Sequence, residues 1–415
     1  MRDLKRAAWL LAIVPAPFAM GCMEIQGSEA AESDGTAEAA PNEVSCDNGL
    51  ATINGLTTTN GLTTSNGLAT TNGLATTNGL ATSNGLATSN GLMTTSSGRA
   101  TVTYIVKCAL AAGDTLVKGS YTFTGQLGLA PEWKNGSCGT SCQETISACV
   151  MAHVNTSGRH YPLWIIGPQS QLGWGRSNAR PFIEAAFFGN IFTSNPPKAY
   201  YCNGPDSERV PVLGRLGAET SSTVFRNPYS GNGMCNDNCN SNSDGYTSCS
   251  QYARPITVYR DLDTTVPYRI CEAESTSSCL TVDNTTTSGA AVRINGFSEL
   301  DRQKFYFERV STSTKEGLYR IKAAHSMKFL SVGSSTSAGS GIIQETSSSS
   351  STGQRWSLVE ISLDSLSNGS FVIKNARSGR LIDDYDRSSG SQVIQNGTGS
   401  APYTYGQAWK LILEP

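Results

Sequence analysis

After its first six residues the chain has no run of basic residues, and lysine is scarce along its whole length. Its formal net charge is −2. A protein that neutralises phosphates needs clustered Lys and Arg, so nucleic acid is excluded as the expected partner. A long apolar run is missing as well. The N-terminal stretch from Ala7 to Met20 is short and broken by Pro15 and Pro17, which is wrong for a membrane span. Missing too is any activated nucleophile or acid/base pair that spacing alone can assemble. The reading therefore leans away from an enzyme and leaves the question open, and no cofactor or metal set is named.

What is present describes an exported protein. Ser, Thr, Gly and Asn are abundant, and twelve cysteines in 415 residues fit an oxidising space. The length calls for two or three domains. Arg2, Lys5 and Arg6 form a charged n-region before the apolar stretch, which ends in Ala19-Met20-Gly21-Cys22. Small residues before a cysteine resemble the bacterial lipoprotein box. That resemblance implies acylation of Cys22 and a place on the outer cell surface or the outer membrane. The alternative is ordinary cleavage after Gly21 and a secreted chain with Cys22 a plain thiol. Cysteine parity favours the latter, because full pairing of the twelve requires Cys22. Residues 1–22 are thus read as a signal segment, and the acidic, Ala/Ser/Gly-rich residues 23–45 as a tether too poor in apolar groups to fold.

Residues 46–97 hold the most regular stretch. From Asn48 to Thr95 the unit Asn-Gly-Leu-(Ala/Thr/Met)-Thr-(Thr/Ser/Ile) runs eight times without an insertion. Asn-Gly favours a tight turn, and one Leu every six residues suits a solenoid that stacks Leu on Leu. A flexible stalk is the other reading, since one Leu in six must offset roughly 1–2 kcal/mol of chain entropy per residue. In either form this segment spaces or stacks.

Residues 98–260 read as a cysteine-rich α+β domain. Helical periodicity at Val102, Ile105, Val106, Ala109 and Leu110 recurs at Ile146, Cys149 and Val150. A third helix is expected from Phe182-Ile183 to Phe187-Phe188, stopped by Gly189. Strands are expected from Tyr161 to Gly167 and from Ile256 to Tyr259. The eight cysteines here are expected to form disulfides of unassigned connectivity, because a small loop-rich domain needs staples. Other chemistries have partial signals here. Cys138-x3-Cys142-x6-Cys149 with His153 and His160 has zinc-like spacing, yet disulfides suit an exported chain better. His153, one turn beyond Cys149, lies where a base for a Cys nucleophile would stand, without a third orienting group. Asn240-x-Asn242-x-Asp244-Gly245 has the odd-position oxygens of a calcium loop, but Gln251 stands where the closing Glu belongs. Glu132, Glu144, Glu184 and Glu219 offer carboxylates for glycoside hydrolysis, although spacing places no two together. Trp133, Trp164 and Trp174 read as core.

Residues 264–415 carry a fixed-period repeat. Gly406-Gln407-Ala408-Trp409 echoes Gly353-Gln354-Arg355-Trp356, and a degenerate copy stands at Gln303-Lys304-Phe305. Each follows an apolar strand, a Leu-x-Val or Leu-Ile-Asp step, a Gly/Ser-rich turn and a second strand. Three such units must share one core, which suggests a closed all-β architecture with Phe305, Trp356 and Trp409 inside and the Gln fixing each turn. Cys271 and Cys279 flank a short Ser/Thr-rich turn and are expected to bond across the first hairpin.

This pattern resembles the ricin-type β-trefoil lectins. The resemblance implies a carbohydrate partner bound by an acid after the first strand, a ring on the second and a polar pair closing the repeat. The third repeat keeps the acid as Asp383. Its ring position is Asn396, and Asn-Gln has become Gly406-Gln407. The second repeat has Ser331 and Glu345 at these places, and the first has Thr281 and Asn295. The expected site is therefore Asp383 with Gln395, Asn396 and Gln407, covered by a neighbouring ring such as Tyr385, Tyr403 or Tyr405. The two overall readings are a surface-anchored lectin-like protein and a secreted hydrolase whose catalytic part is 99–260 with the trefoil as accessory module.

Overall fold

The computed structural model describes residues 46–47, 93, 96–155, 161–192, 198–215, 227–229, 233–311, 317–361, 369–385, 388–397 and 403–414. The signal segment with Cys22, the tether, the hexapeptide units apart from Met93, His160 and Glu219 lie outside these residues. No helix among the described residues is long and apolar enough to cross a membrane.

The strands of the central region are β1 (Cys46–Asp47), β2 (Thr115–Lys118), β3 (Tyr121–Thr124), β4 (Pro162–Ile166), β5 (Phe182–Asn190), β6 (Lys198–Asn203), β7 (Cys239–Ser241), β8 (Tyr246–Cys249) and β9 (Ile256–Arg260). β1, β4, β9, β5 and β6 form an antiparallel sheet in that order. The helices α1 (Ser96–Ala109) and α2 (Thr140–Ala152) follow the expected periodicity, and α2 packs on β5. Ser147 accepts a hydrogen bond from the Ile191 amide at 3.0 Å, and Gln143 one from Asn190, also at 3.0 Å, so polar groups lock helix to sheet.

The third expected helix is a strand. Every residue of β5 is buried, so the alternation that distinguishes a half-exposed strand is absent from its sequence. Gly189 does not stop a helix. It lies inside the strand at φ +130°, where a β-carbon would fall 2.1 Å from the Lys198 carbonyl oxygen of β6.

Cysteines of this region pair as Cys108–Cys149, Cys138–Cys142, Cys202–Cys235 and Cys239–Cys249. That removes the zinc-like set and the Cys149 nucleophile together, because those sulfurs are consumed. Trp133 is fully buried and Trp164 nearly so, while Trp174 is half-buried at the edge of the cluster around Phe188.

The C-terminal region is a threefold structure. Its strands are β10 (Tyr268–Glu272), β11 (Ser278–Val282), β12 (Val292–Gly296), β13 (Phe305–Ser311), β14 (Leu318–Ala323), β15 (Phe329–Ser331), β16 (Ser340–Gly341), β17 (Ile343–Glu345), β18 (Trp356–Glu360), β19 (Phe371–Asn375), β20 (Leu381–Asp383), β21 (Ile394–Asn396) and β22 (Trp409–Leu413). Strands β10, β13, β14, β18, β19 and β22 pair in a closed ring. Within it Tyr268 faces Phe305, Tyr319 faces Trp356 and Phe371 faces Trp409 across the ladders. Phe305, Trp356 and Trp409 are all fully buried. The hairpins β11–β12, β15–β17 and β20–β21 cap one end. There the Val292 amide donates to the Ile342 carbonyl (2.9 Å), Ile342 to Val393 (2.8 Å) and Val393 back to Val292 (2.9 Å). That cycle of backbone bonds marks the threefold axis. Closure leaves no strand edge in the ring.

Cys271 and Cys279 stand directly opposite in the β10–β11 ladder and are bonded, with Cα atoms 3.9 Å apart, nearer than the roughly 4.4–6.8 Å usual for the bond. The far end of the barrel is closed from outside the repeat. Phe182 of β5 and Val210 are fully buried among Tyr268, Phe307 and Tyr319, and the Tyr268 hydroxyl donates to the Pro211 carbonyl at 3.0 Å. Asp261 ties the two regions further, its carboxylate accepting from the Tyr319 hydroxyl and the Arg309 guanidinium. Burial, and then the charge of Asp261, hold the Tyr319 hydroxyl well above its ordinary pKa, so it stays a donor.

Candidate functional site

Each Gln of the repeat ends a short 3-10 turn and ties that turn to its hairpin. Gln303 accepts from the Ser298 amide (2.7 Å) and donates to Gly296 O (2.8 Å) and Thr281 Oγ1 (2.9 Å). Gln354 accepts from the Ser348 amide (2.9 Å) and donates to Thr346 O (2.8 Å). Gln407 accepts from the Thr404 amide (3.3 Å) in a capping box, and its Nε2 donates to Asp383 Oδ2 at 2.8 Å. The indoles add a second tie, Trp356 Nε1 to Leu330 O (3.0 Å) and Trp409 Nε1 to Ile382 O (3.1 Å). Phe305 lacks that donor.

In the third repeat this scaffold aims a carboxylate. Asp383 is 3% exposed, with Oδ2 engaged by Gln407. Among the described residues no group bonds Oδ1. Gly406 allows the turn to come this close. A β-carbon there would stand 2.7 Å from the Asp384 carbonyl oxygen and 3.0 Å from Asp383 Oδ1, which explains why glycine replaces the Asn of the resembling pattern. Asn396 lies opposite Leu381 in the hairpin ladder and shares the Asp383 face, half-buried. Gln395 does not join them. It lies opposite Ile382 on the other face, fully buried, and its Nε2 donates to the Ser335 carbonyl at 3.2 Å. Alternation along a strand puts adjacent residues on opposite faces, so Gln395 and Asn396 cannot both reach one ring. Of the candidate platforms, Tyr385 and Tyr405 are exposed and Tyr403 is half-buried against the Leu381 cluster.

The other repeats differ. In the second, the carboxylate comes from the opposite strand: Ser331 Oγ donates to Glu345 Oε2 at 2.5 Å. The signal for this was the carboxylate standing at the position of the missing ring. In the first, Thr281 accepts from Gln303 and Asp283 is paired with Arg293 at 2.6 Å.

Among the described residues, the alternative chemistries of the central region find no assembled site. Glu184 is fully buried between Arg215 and Arg260, with contacts of 2.5 and 2.7 Å, and serves as an internal ion-pair hub. Glu132 is exposed, and the carboxyl of half-buried Glu144 is pushed up by burial and lowered by Arg254. His153 is buried, with Nδ1 2.8 Å from the Cys149 carbonyl oxygen. In the calcium-like loop Asn240 and Asn242 are engaged within the protein. The Asn240 amide donates to Ser248 Oγ (2.8 Å), and Asn242 Oδ1 accepts from the Asp244 and Gly245 amides, both at 2.9 Å.

A closed six-stranded ring capped by three hairpins, with a Gln-x-aromatic turn in each repeat, defines a β-trefoil. Residues 301–396 match the family described as ricin-type beta-trefoil lectin domain-like. No curated protein matches the chain. Among solved structures it is similar to a designed threefold-symmetric protein, ThreeFoil, with 29% identity over 35% of this chain and 97% of that one, at a TM-score of 0.31. It is also similar to an exo-beta-1,3-galactanase from Clostridium thermocellum, with 24% identity over 38% of this chain and 32% of that one (TM-score 0.31). A third is a Polyporus squamosus lectin solved with a sialylated influenza-binding epitope, with 15% identity over 36% of this chain and 50% of that one (TM-score 0.30).

Proposed function

We propose that this chain is an exported carbohydrate-binding protein, anchored at the cell surface through Cys22, whose tether and repeats present the disulfide-rich region and the trefoil. Sugar binds at the third repeat. The observation that carries this reading is the Gln407–Asp383 bond of 2.8 Å, which holds a carboxylate in a fixed orientation at the one repeat that has an acid on its first hairpin strand. A carboxylate accepts sugar hydroxyls through charge-assisted bonds, the stronger kind. Asn396 supplies an amide on the same face, and Tyr385 or Tyr405 covers an apolar sugar face.

The test is a glycan array probed with wild type, Asp383→Ala and Ser331→Ala. Asp383→Ala is expected to weaken binding by about 1.5–3 kcal/mol, the worth of a hydrogen bond to a charged group, or roughly ten- to a hundredfold. Ser331→Ala leaves the third repeat intact and is expected to bind like wild type. Equal binding by all three places the site elsewhere. Lipid anchoring is checked separately by mass spectrometry of the mature N-terminus, where an unmodified Cys22 contradicts it.

A further inference from the structure

We infer that the cleft between the disulfide-rich region and the trefoil is a second saccharide site, which takes neutral polyhydroxylated ligands and does not depend on the third-repeat site. The cavity measures about 380 Å³, inside the roughly 300–1,000 Å³ range of small-molecule sites, and clefts between packed units are a usual place for them. One wall is the β7–β8 hairpin with Arg176. The other is the end of β18, Leu358 to Glu360, which is no part of the trefoil hairpins.

The class of ligand follows from which groups the fold has already used. Asp206 is spent: its carboxylate accepts from the Ile183 amide at 2.6 Å and from Arg209. Asn236 Oδ1 accepts from the Tyr246 hydroxyl at 2.6 Å, and Asn242 Oδ1 accepts two loop amides, so both side chains are held, with their Nδ2 donors unused among the described residues. Arg176 donates to the Ser243 carbonyl at 2.8 Å and stands 3.9 Å from Asp244 Oδ1, leaving further N–H groups. The Ser241 hydroxyl has no hydrogen-bond partner among the described residues. Glu360 makes no side-chain hydrogen bond or ion pair among the described residues. The cleft therefore offers fixed donors (Asn236, Asn242, Arg176) beside carboxylate acceptors (Asp244, Glu360).

Only a ligand whose groups both donate and accept satisfies such a lining. An anion meets Asp244 and Glu360, and a cation meets Arg176. Sugar hydroxyls donate to the carboxylates while accepting from the amides and the guanidinium.

The experiment titrates the full chain with glucose, galactose, N-acetylglucosamine and lactose by calorimetry. It is carried out in wild type and in Asp383→Ala, with sodium acetate as the anionic probe. At least one sugar is expected to bind Asp383→Ala, and Glu360→Gln or Arg176→Met added to it is expected to weaken that binding roughly ten- to a hundredfold. Glu299→Gln, an exposed carboxylate elsewhere, is expected to change nothing. Two separate substitutions guard against one that disturbs folding, which circular dichroism checks. The inference is overturned if no sugar binds Asp383→Ala, if both cleft variants bind like their parent, or if acetate binds through Arg176 and sugars do not. Binding that survives Asp383→Ala undiminished but falls with Glu360→Gln ends the third-repeat reading and leaves the cleft standing.

Discussion

His153 shows at the scale of one residue how burial sets chemistry. Desolvation holds its pKa down at about 4, against the helping bond to the Cys149 carbonyl and with Lys107 and Arg215 adding to the depression. The unfolded chain titrates this group near 6.5, so it binds more protons than the folded one between these values. Stability is therefore complete above about pH 6.5 and is lost as pH falls towards 4, by about 3 kcal/mol in all. Urea unfolding at pH 7 and pH 4.5 measures this, and His153→Gln is expected to flatten the difference. An unchanged slope contradicts the assignment. Single residues of the candidate site were unevenly legible. Asp383 stood out because the repeat gives it a register. Gln395 was misplaced although strand parity alone separates it from Asn396. The role of Gly406 is not legible in the sequence, because a clash with the Asp384 carbonyl is a contact between segments distant in sequence.

Among the elements, the three trefoil repeats were readable because the same strand-turn unit returns at a fixed period. Strand β5 was not, because complete burial erases the alternation that marks a strand. The β10–β11 hairpin carries a prediction at this scale. Its Cys271–Cys279 bond spans 8 residues, and constraint of so short a loop is worth about 2–3 kcal/mol in the chain-entropy account. Replacing both cysteines by alanine is expected to lower stability by that amount while leaving binding at the third repeat unchanged, since Asp383 lies in another repeat. Denaturant unfolding and the glycan array read the two effects. Loss of binding contradicts the separation of the first hairpin from the site.

On the scale of the whole molecule, the trefoil is sealed by a plug from another part of the chain, Phe182 and Val210. No pattern in the sequence announces such a contact, because neither residue belongs to a repeat. Val210→Asp buries an unpaired charge at the barrel mouth, at a cost of about 3–5 kcal/mol. It is expected to lower the unfolding midpoint of both regions together, followed by the fluorescence of tryptophans in each. A trefoil that melts as in wild type contradicts the plug. The account as a whole rests on a sugar at the third repeat. The most direct measurement is a crystal structure of the full chain with the best ligand from the array. The account predicts a sugar hydroxyl within roughly 2.6–3.2 Å of an Asp383 carboxylate oxygen, with Gln407 still bonded to Oδ2. A fully occupied ligand elsewhere, with the third repeat empty at saturating sugar, contradicts it.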